Sequence, residues 1–89
     1  MKNKYIMNKT MNKEENQKRI GARLAEIRND IEWTDEAGIH RKGMTQVELS
    51  ERCGVSQSHI TRIEAGKYDV KLSTVETIAE AMGKKVYIV

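Results

Sequence analysis

Small polar side chains share one face of a short predicted helix in the middle of the chain. A rotation of about 100° per residue places Ile60 and Ile63 on the side that faces a core. The opposite face presents hydroxyl and guanidinium groups, and Gln57 lies at its exposed start. Such groups can form hydrogen bonds with the base edges of the DNA major groove. The alternative interpretation is that they form an ordinary solvated helix face. The residues on this outer face are Ser58, Thr61, Arg62 and Ala65.

This short helix follows another one of similar length across a three-residue turn. The capping box at residues 45–48 predicts a helix over 46–53, and Gly54 ends it by supplying a left-handed conformation. Ser56 is the N-cap of the next helix, which we expect over 57–65. Two short helices joined by a turn that contains Gly are typical of a helix-turn-helix, and this context favours DNA binding over the solvated face.

Two further helices are predicted, one on each side of this pair. Asn12 and Glu15 form a capping box, which together with a stripe of aliphatic residues predicts a first helix over 13–30. Ser73 and Glu76 repeat the capping pattern and predict the start of a last helix. The aliphatic stripes are Ile20, Leu24, Ile27 and Ile31 in the first helix, and Leu72, Val75, Ile78, Ala79 and Met82 in the last.

Residues 43–67 resemble the helix-turn-helix of the Cro and phage-repressor (Xre) family. The resemblance is carried by Thr-Gln at the start of one helix, Gly-Val-Ser at the turn, and Ile-Glu-Ala-Gly-Lys at the end of the next. It extends over about residues 18–83. It implies a small all-α, lambda-repressor-like bundle of four or more short helices. It also implies a sequence-specific, DNA-binding transcriptional regulator that acts as a repressor on double-stranded DNA.

The resemblance also assigns roles to individual residues. Arg28 is expected to form an ion pair with Glu64. Independently of the resemblance, a helix start attracts phosphate, because its first N–H groups are free and its dipole is positive there. The predicted base contacts are Gln57, Ser58 and Arg62. The predicted phosphate contacts are Gln46, Ser56, Thr61 and Lys67.

An insertion over about residues 30–42 makes the segment before the helix-turn-helix about ten residues longer than the family usually has. Its alternating residues fit a β-hairpin, but an extended first helix followed by a loop fits nearly as well. Arg41 and Lys42 precede the second helix directly, so we expect them either to contact DNA phosphates or to form a solvated basic loop. Trp33 is expected to cover the aliphatic core.

The two ends of the chain carry separate predictions. Residues 1–11 form a polar, basic segment that we expect to be a flexible leader, so that the domain covers 12–83. Residues 84–89 are rich in β-branched and aromatic types, which predicts a strand. This tail resembles that of antitoxins of the HigA type. The strand residues expected to contact a partner are Val86, Tyr87, Ile88 and Val89.

A lone strand is marginal in water, so the tail is expected to pair with a second copy, with the inserted hairpin or with a toxin. A homodimer formed in this way would bind a palindromic operator with half-sites about 34 Å apart. The chain would then be a repressor, or alternatively an antitoxin that also neutralises a toxin. A protein-interaction module that does not bind DNA is the alternative from another class.

Composition and spacing argue against several other functions. Cys53 is the single cysteine, so a disulfide within the chain is excluded, and we expect its side chain in the core. His40 and His59 lack metal-ligand spacing, and we expect neither a metal nor another cofactor. No apolar run is long enough for a membrane span. We therefore expect a cytoplasmic protein that is not an enzyme. The formal net charge of the chain is +3.

Overall fold

The computed structural model describes residues 5–7 and 12–88. Within these residues, four helices form the body of the protein, and four short strands form two separate two-stranded sheets. The elements in chain order are β1 (Tyr5–Met7), α1 (Lys13–Asp30), β2 (Glu32–Thr34), β3 (His40–Lys42), α2 (Gln46–Cys53), α3 (Gln57–Glu64), α4 (Leu72–Ala81) and β4 (Val86–Ile88). The predicted small helical bundle with a short terminal strand is confirmed.

The first two predicted helix starts are confirmed, because both capping boxes form. The Glu15 backbone N–H donates to Asn12 Oδ1 at 2.8 Å, and the Asn12 N–H donates back to Glu15 Oε1 at 3.3 Å. The same reciprocal pair joins Thr45 and Glu48 at the start of α2. Each box satisfies two backbone donors that the first helical turn leaves free, which fixes where the helix begins.

Two helix boundaries differ from the prediction. Helix α3 ends at Glu64, and Ala65 is its C-cap rather than its last residue. The prediction that Ser73 caps the last helix is wrong, because Lys71 is the N-cap and has no side-chain capping bond. The Lys71 carbonyl accepts bonds from the N–H groups of Thr74 and Val75, so α4 is two residues longer than a start after Ser73 allows.

The core is aliphatic, as the composition predicts, and each helix contributes to it. Helix α1 also crosses α3 at very short range. A Cβ atom on Gly21 would lie 2.2 Å from the Ile63 carbonyl oxygen and 2.8 Å from that of Glu64, so only glycine fits at this crossing. The buried apolar residues are Ile20, Leu24, Ile27, Met44, Leu49, Ile60, Ile63, Val75, Ile78, Ala79 and Met82.

The insertion forms the β-hairpin, which was one of the two alternatives. Strands β2 and β3 pair antiparallel, with Trp33 opposite Arg41. Trp33 packs half-buried against the core, and its Nε1–H donates to the Gly43 carbonyl at 2.8 Å. This bond and the packing hold the hairpin beside the start of α2. Cys53 is half-buried against the same core, with a free thiol.

The terminal strand pairs within the chain. Strand β4 lies parallel to β1, with Tyr5, Ile6 and Met7 opposite Val86, Tyr87 and Ile88. This differs from the expectation of a wholly flexible leader and of a strand that pairs with another chain or with the hairpin. Both segments consist of aromatic, β-branched or other apolar residues, and pairing inside one chain avoids the entropy cost of association. Val89 lies outside the described residues.

Candidate nucleic-acid interface

Helices α2 and α3 form a helix-turn-helix whose turn is capped on both sides. Gly54 adopts a φ of 78°, and its N–H donates to the Ser50 carbonyl, which ends α2. The Ser56 hydroxyl accepts a bond from the His59 N–H at 3.3 Å, which starts α3. The two caps lie only two residues apart, so the direction in which α3 leaves α2 is set by local hydrogen bonds.

The outer face of α3 carries the predicted base contacts. Ile60 and Ile63 are 1% and 2% exposed, so the opposite side of the helix is anchored in the core. Gln57, Ser58 and Arg62 are all exposed. The structure therefore brings the three side chains together on one accessible face, where hydrogen-bonding groups are available to an external surface.

Gln46 and Thr61 connect the starts of the two helices. The Thr61 hydroxyl lies 2.8 Å from Gln46 Oε1 and 2.9 Å from the Gln57 carbonyl oxygen, and it donates to one of them at a time. Gln46 Nε2 donates to Glu64 Oε1 at 2.9 Å. A Gln amide has two N–H donors, so Gln46 keeps a donor beyond this bond. Gln46 and Thr61, which are both among the predicted phosphate contacts, thus also hold α2 against α3.

Arg28 and Glu64 form a bidentate ion pair, and Glu64 is the same carboxylate to which Gln46 donates. Arg28 Nε and Nη2 donate to the two carboxylate oxygens of Glu64 at 2.7 and 2.9 Å, and Nη1 donates to the Met44 carbonyl at 2.8 Å. The two side chains are 12% and 8% exposed. One guanidinium group therefore joins α1, the residue before the α2 cap and the end of α3.

The basic side chains of the hairpin contact carboxylates of the same chain. Arg41 pairs with Glu48 of α2, and its guanidinium carbon lies 5.0 Å from the centre of the Trp33 ring. These contacts hold Arg41 half-buried on the protein. Its guanidinium charge is already paired with Glu48, which weakens the attraction that a phosphate would exert on it. The other two pairs are His40 with Glu32 at 2.9 Å and Lys42 with Asp30 at 3.3 Å, all four residues being exposed.

The start of α2 also shifts the acidity of Glu48. The Thr45 backbone N–H, which donates to Glu48 Oε1 at 2.9 Å, is the main reason why the pKa of Glu48 lies below its usual 4.5. Arg41 acts in the same direction. Glu48 is thus held as a carboxylate between a helix cap and the hairpin.

Tyr68, which the sequence analysis did not assign to the site, lies beside Arg62. The guanidinium carbon of Arg62 lies 5.3 Å from the centre of the Tyr68 ring. The His59 ring meets the same tyrosine in a perpendicular arrangement, with centroids 4.7 Å apart and planes at 85°. The available sequence signal was an aromatic residue placed two positions after Gly66, among only three tyrosines and no phenylalanine in the chain.

The remaining predicted residues lie at the two ends of α3 and in β4. Lys67 is exposed just after α3, and the exposed Ser56 uses its hydroxyl as the α3 cap. Val86 of β4 packs half-buried against the core. Among the described residues, no group of His, Cys, Asp and Glu side chains is arranged to hold a metal ion. Within the same residues, none of the helices has the length and apolar character that crossing a membrane requires.

Comparisons with known proteins match this part of the chain. A profile of the helix-turn-helix family covers residues 39–88. An immunity repressor protein of Bacillus phage phi105 is 33% identical over 67 residues, which are 75% of this chain and 39% of that protein. An uncharacterized HTH-type transcriptional regulator of Methanothermobacter thermautotrophicus is 44% identical over 48 residues, which are 52% of this chain and 70% of that protein.

A hypothetical transcription factor of Neisseria meningitidis serogroup B is 33% identical over 46 residues, which are 52% of this chain and 43% of that protein. The match therefore spans well under half the length of both the phage repressor and the Neisseria protein. No solved structure matches the chain.

Proposed function

This chain belongs to the helix-turn-helix family, and from that premise we propose that it is a sequence-specific, DNA-binding transcriptional regulator that acts as a repressor. The observation that carries the proposal is the exposed polar face of α3 behind a capped α2. In the proposed complex, α3 enters the major groove and the repressor blocks access to a promoter. It acts by binding rather than by catalysis, in the cytoplasm.

The proposed base contacts follow from side-chain chemistry. Gln57 is suited to adenine and Arg62 to guanine, because each presents two hydrogen-bonding groups at the required separation, and Ser58 can serve either base or phosphate. Gln46, Thr61 and Lys67 are proposed to contact phosphates at the edges of the groove. The internal pairing of Arg41 and Lys42 favours a solvated or structural role for these two cations, so we place them at the margin of the interface.

Selection of bound sequences from a random DNA pool tests the proposal directly. We expect an enriched motif, and Arg62→Ala should cost about 1–3 kcal/mol of binding free energy and relax one base position of that motif. Lys67→Gln should instead weaken binding to all sequences alike, and Glu76→Gln, on the exposed side of α4, is the neutral control. A pool without any enriched motif would contradict sequence-specific binding.

A homodimer on a palindromic operator is a further part of the proposal. The two-stranded β1–β4 sheet is short, and such a sheet gains stability when another strand adds to its edge. We propose that a second copy supplies this strand. If so, the selected motif should show two half-sites about 34 Å apart, and sedimentation should give a dimer for the full chain and a monomer for a chain that ends at Gly83.

Two alternatives are weaker. The relatives bear the names of a repressor and of transcription regulators, which do not favour an antitoxin with a toxin partner. A protein-interaction module without DNA binding is distinguished by a salt titration. The logarithm of a DNA affinity falls linearly with the logarithm of salt concentration, because phosphate contacts release counterions.

A further inference from the structure

We propose that Tyr68 is a positioning residue for base recognition: its ring holds the Arg62 guanidinium in the orientation in which it contacts a guanine. The inference rests on the proposed function, since it concerns how the same α3 face becomes selective. It assigns a role to a loop residue that lies outside the helix-turn-helix itself.

The contact between the two side chains leaves the hydrogen-bonding edge of Arg62 available. With its guanidinium carbon 5.3 Å from the ring centre, Arg62 is attracted by the electron-rich face of Tyr68. A guanidinium carries five N–H donors, and an aromatic ring attracts its charge without the carbonyl-type acceptor that a base edge offers to those donors. A guanine accepts two such donors at O6 and N7. Tyr68 can therefore hold Arg62 without competing with the base.

Tyr68 is itself held by its surroundings, which a positioning role requires. His59, three residues before Arg62 on α3, meets the Tyr68 ring at right angles with the two ring centroids 4.7 Å apart. Tyr68 is half-buried against the core. The next residue, Asp69, pairs with Lys13 at the start of α1, with Nζ and Oδ2 2.8 Å apart. The ring is thus held from α3 and from the core, and the exposed ion pair of Asp69 adds a weak connection between the loop and α1.

This arrangement removes part of the entropy cost of binding. An exposed arginine has many rotamers, and ordering it on DNA costs conformational entropy that a preordered side chain has already lost. Attraction between an arginine and an aromatic ring at an exposed site corresponds to about a two- to fivefold change in an equilibrium constant. Loss of the ring should therefore lower the preference for guanine at the Arg62 position by about that factor.

The experiment measures affinities of full-length variants for the selected operator and for the same operator with the Arg62-contacted base pair changed. Tyr68→Leu removes the ring but keeps an apolar side chain, and it should reduce the ratio of the two affinities two- to fivefold. Tyr68→Phe keeps the ring and should retain the wild-type ratio. Val70→Ala is the matched control, because it loosens the same loop and should lower thermal stability without changing the ratio.

The decisive measurement repeats Tyr68→Leu in an Arg62→Ala background. If Tyr68 acts through Arg62, the second change should leave the base preference of the Arg62→Ala variant unaltered. An equal loss of affinity for both operators, or an unchanged ratio in Tyr68→Leu, would overturn the inference while the proposed function stands. If the wild-type chain itself prefers no sequence, the proposed function fails and the role of Tyr68 falls with it.

Discussion

At the scale of single residues, the Arg28 side chain connects α1 with α3 and with the residue before the α2 cap. Its three guanidinium nitrogens each donate a hydrogen bond, two to Glu64 and one to the Met44 carbonyl, so its charge is matched by that of Glu64. Gln46 adds a further donor to Glu64. In this shielded position the contacts offset the cost of removing two charges from water, and the removal of either partner exposes that cost.

Arg28→Met should therefore destabilise the protein strongly. The substitution leaves the Glu64 carboxylate, which is 8% exposed, without its counter-ion. Loss of one partner of a buried pair costs about 3 kcal/mol, and we expect a decrease in the free energy of unfolding of that order in urea titrations.

The matched control is the double variant Arg28→Met/Glu64→Leu, which replaces the pair by apolar groups. It should be more stable than Arg28→Met, because no unpaired charge remains. The stability lost by the double variant is compared with the sum of the losses in Arg28→Met alone and Glu64→Leu alone. If the two are equal, the two residues do not stabilise each other and the pair is not important for stability.

At the scale of elements, the sequence predicts those helix boundaries that hydrogen bonds between neighbouring residues determine. The bounds of α1 and α2 follow from capping boxes whose members lie three residues apart, so the pattern and the structure coincide. The start of α4 is different, because the backbone of Lys71 caps that helix without any side-chain signal. Strand β1 is three residues long and pairs with a strand at the other end of the chain, and such a segment carries no periodicity from which pairing can be predicted.

The same limit applies to the candidate site. The face of α3 could be predicted, because helical geometry alone decides which of its residues share a side. The contact of Tyr68 with Arg62 could not, because it depends on the path of the loop after α3. The pairing of Arg41 with Glu48 could not be predicted either, because it requires the inserted residues to form a hairpin. The alternating residues fitted a hairpin and an extended first helix nearly equally well.

The crossing of α1 and α3 gives a prediction at this scale. Gly21→Ala should destabilise the protein, although alanine is favoured over glycine by about 1 kcal/mol within a helix. The added Cβ would lie 2.2 Å from the Ile63 carbonyl oxygen, so α1 and α3 must separate and the core between them must loosen. We expect a net loss of about 2 kcal/mol in the free energy of unfolding, typical of an overpacked core.

Ala22→Gly, one residue further along α1 and exposed, isolates the effect of helix propensity. It should cost about 1 kcal/mol and leave the packing of the helices unchanged. A Gly21→Ala variant that is more stable than the wild-type chain would show that the two helices separate without cost.

At the scale of the whole molecule, the arrangement of charges matters more than their sum. The net charge of +3 suggests only a mild attraction to nucleic acid. Arg41 and Lys42 of the hairpin are balanced by Glu48 and Asp30, whereas Arg62 and Lys67 are exposed at α3 and just after it. Local pairing thus neutralises the two cations of the insertion, whereas Arg62 and Lys67 leave positive charge on the face that the proposed function places against DNA.

Two carboxylates that connect different parts of the molecule predict how its stability depends on pH. The pKa of Glu48 is lowered from 4.5, first by the Thr45 backbone N–H, and that of Asp69 is lowered from 3.8, first by its hydrogen bond with Lys13. In the unfolded chain both groups return to their usual values. The stabilisation they provide is therefore complete above those values and is lost as pH falls through the lower pKa values of the folded state.

Thermal unfolding followed by circular dichroism from pH 7 down to about pH 3 measures this dependence. The double variant Glu48→Gln/Asp69→Asn should be less stable than wild type at pH 7, because neutral side chains bind the cap and Lys13 less strongly. It should lose less stability on acidification, so that the two curves converge at low pH. Glu51→Gln, on the exposed side of α2, should follow the wild-type curve. A double variant with the full wild-type acid dependence would mean that other carboxylates determine acid unfolding.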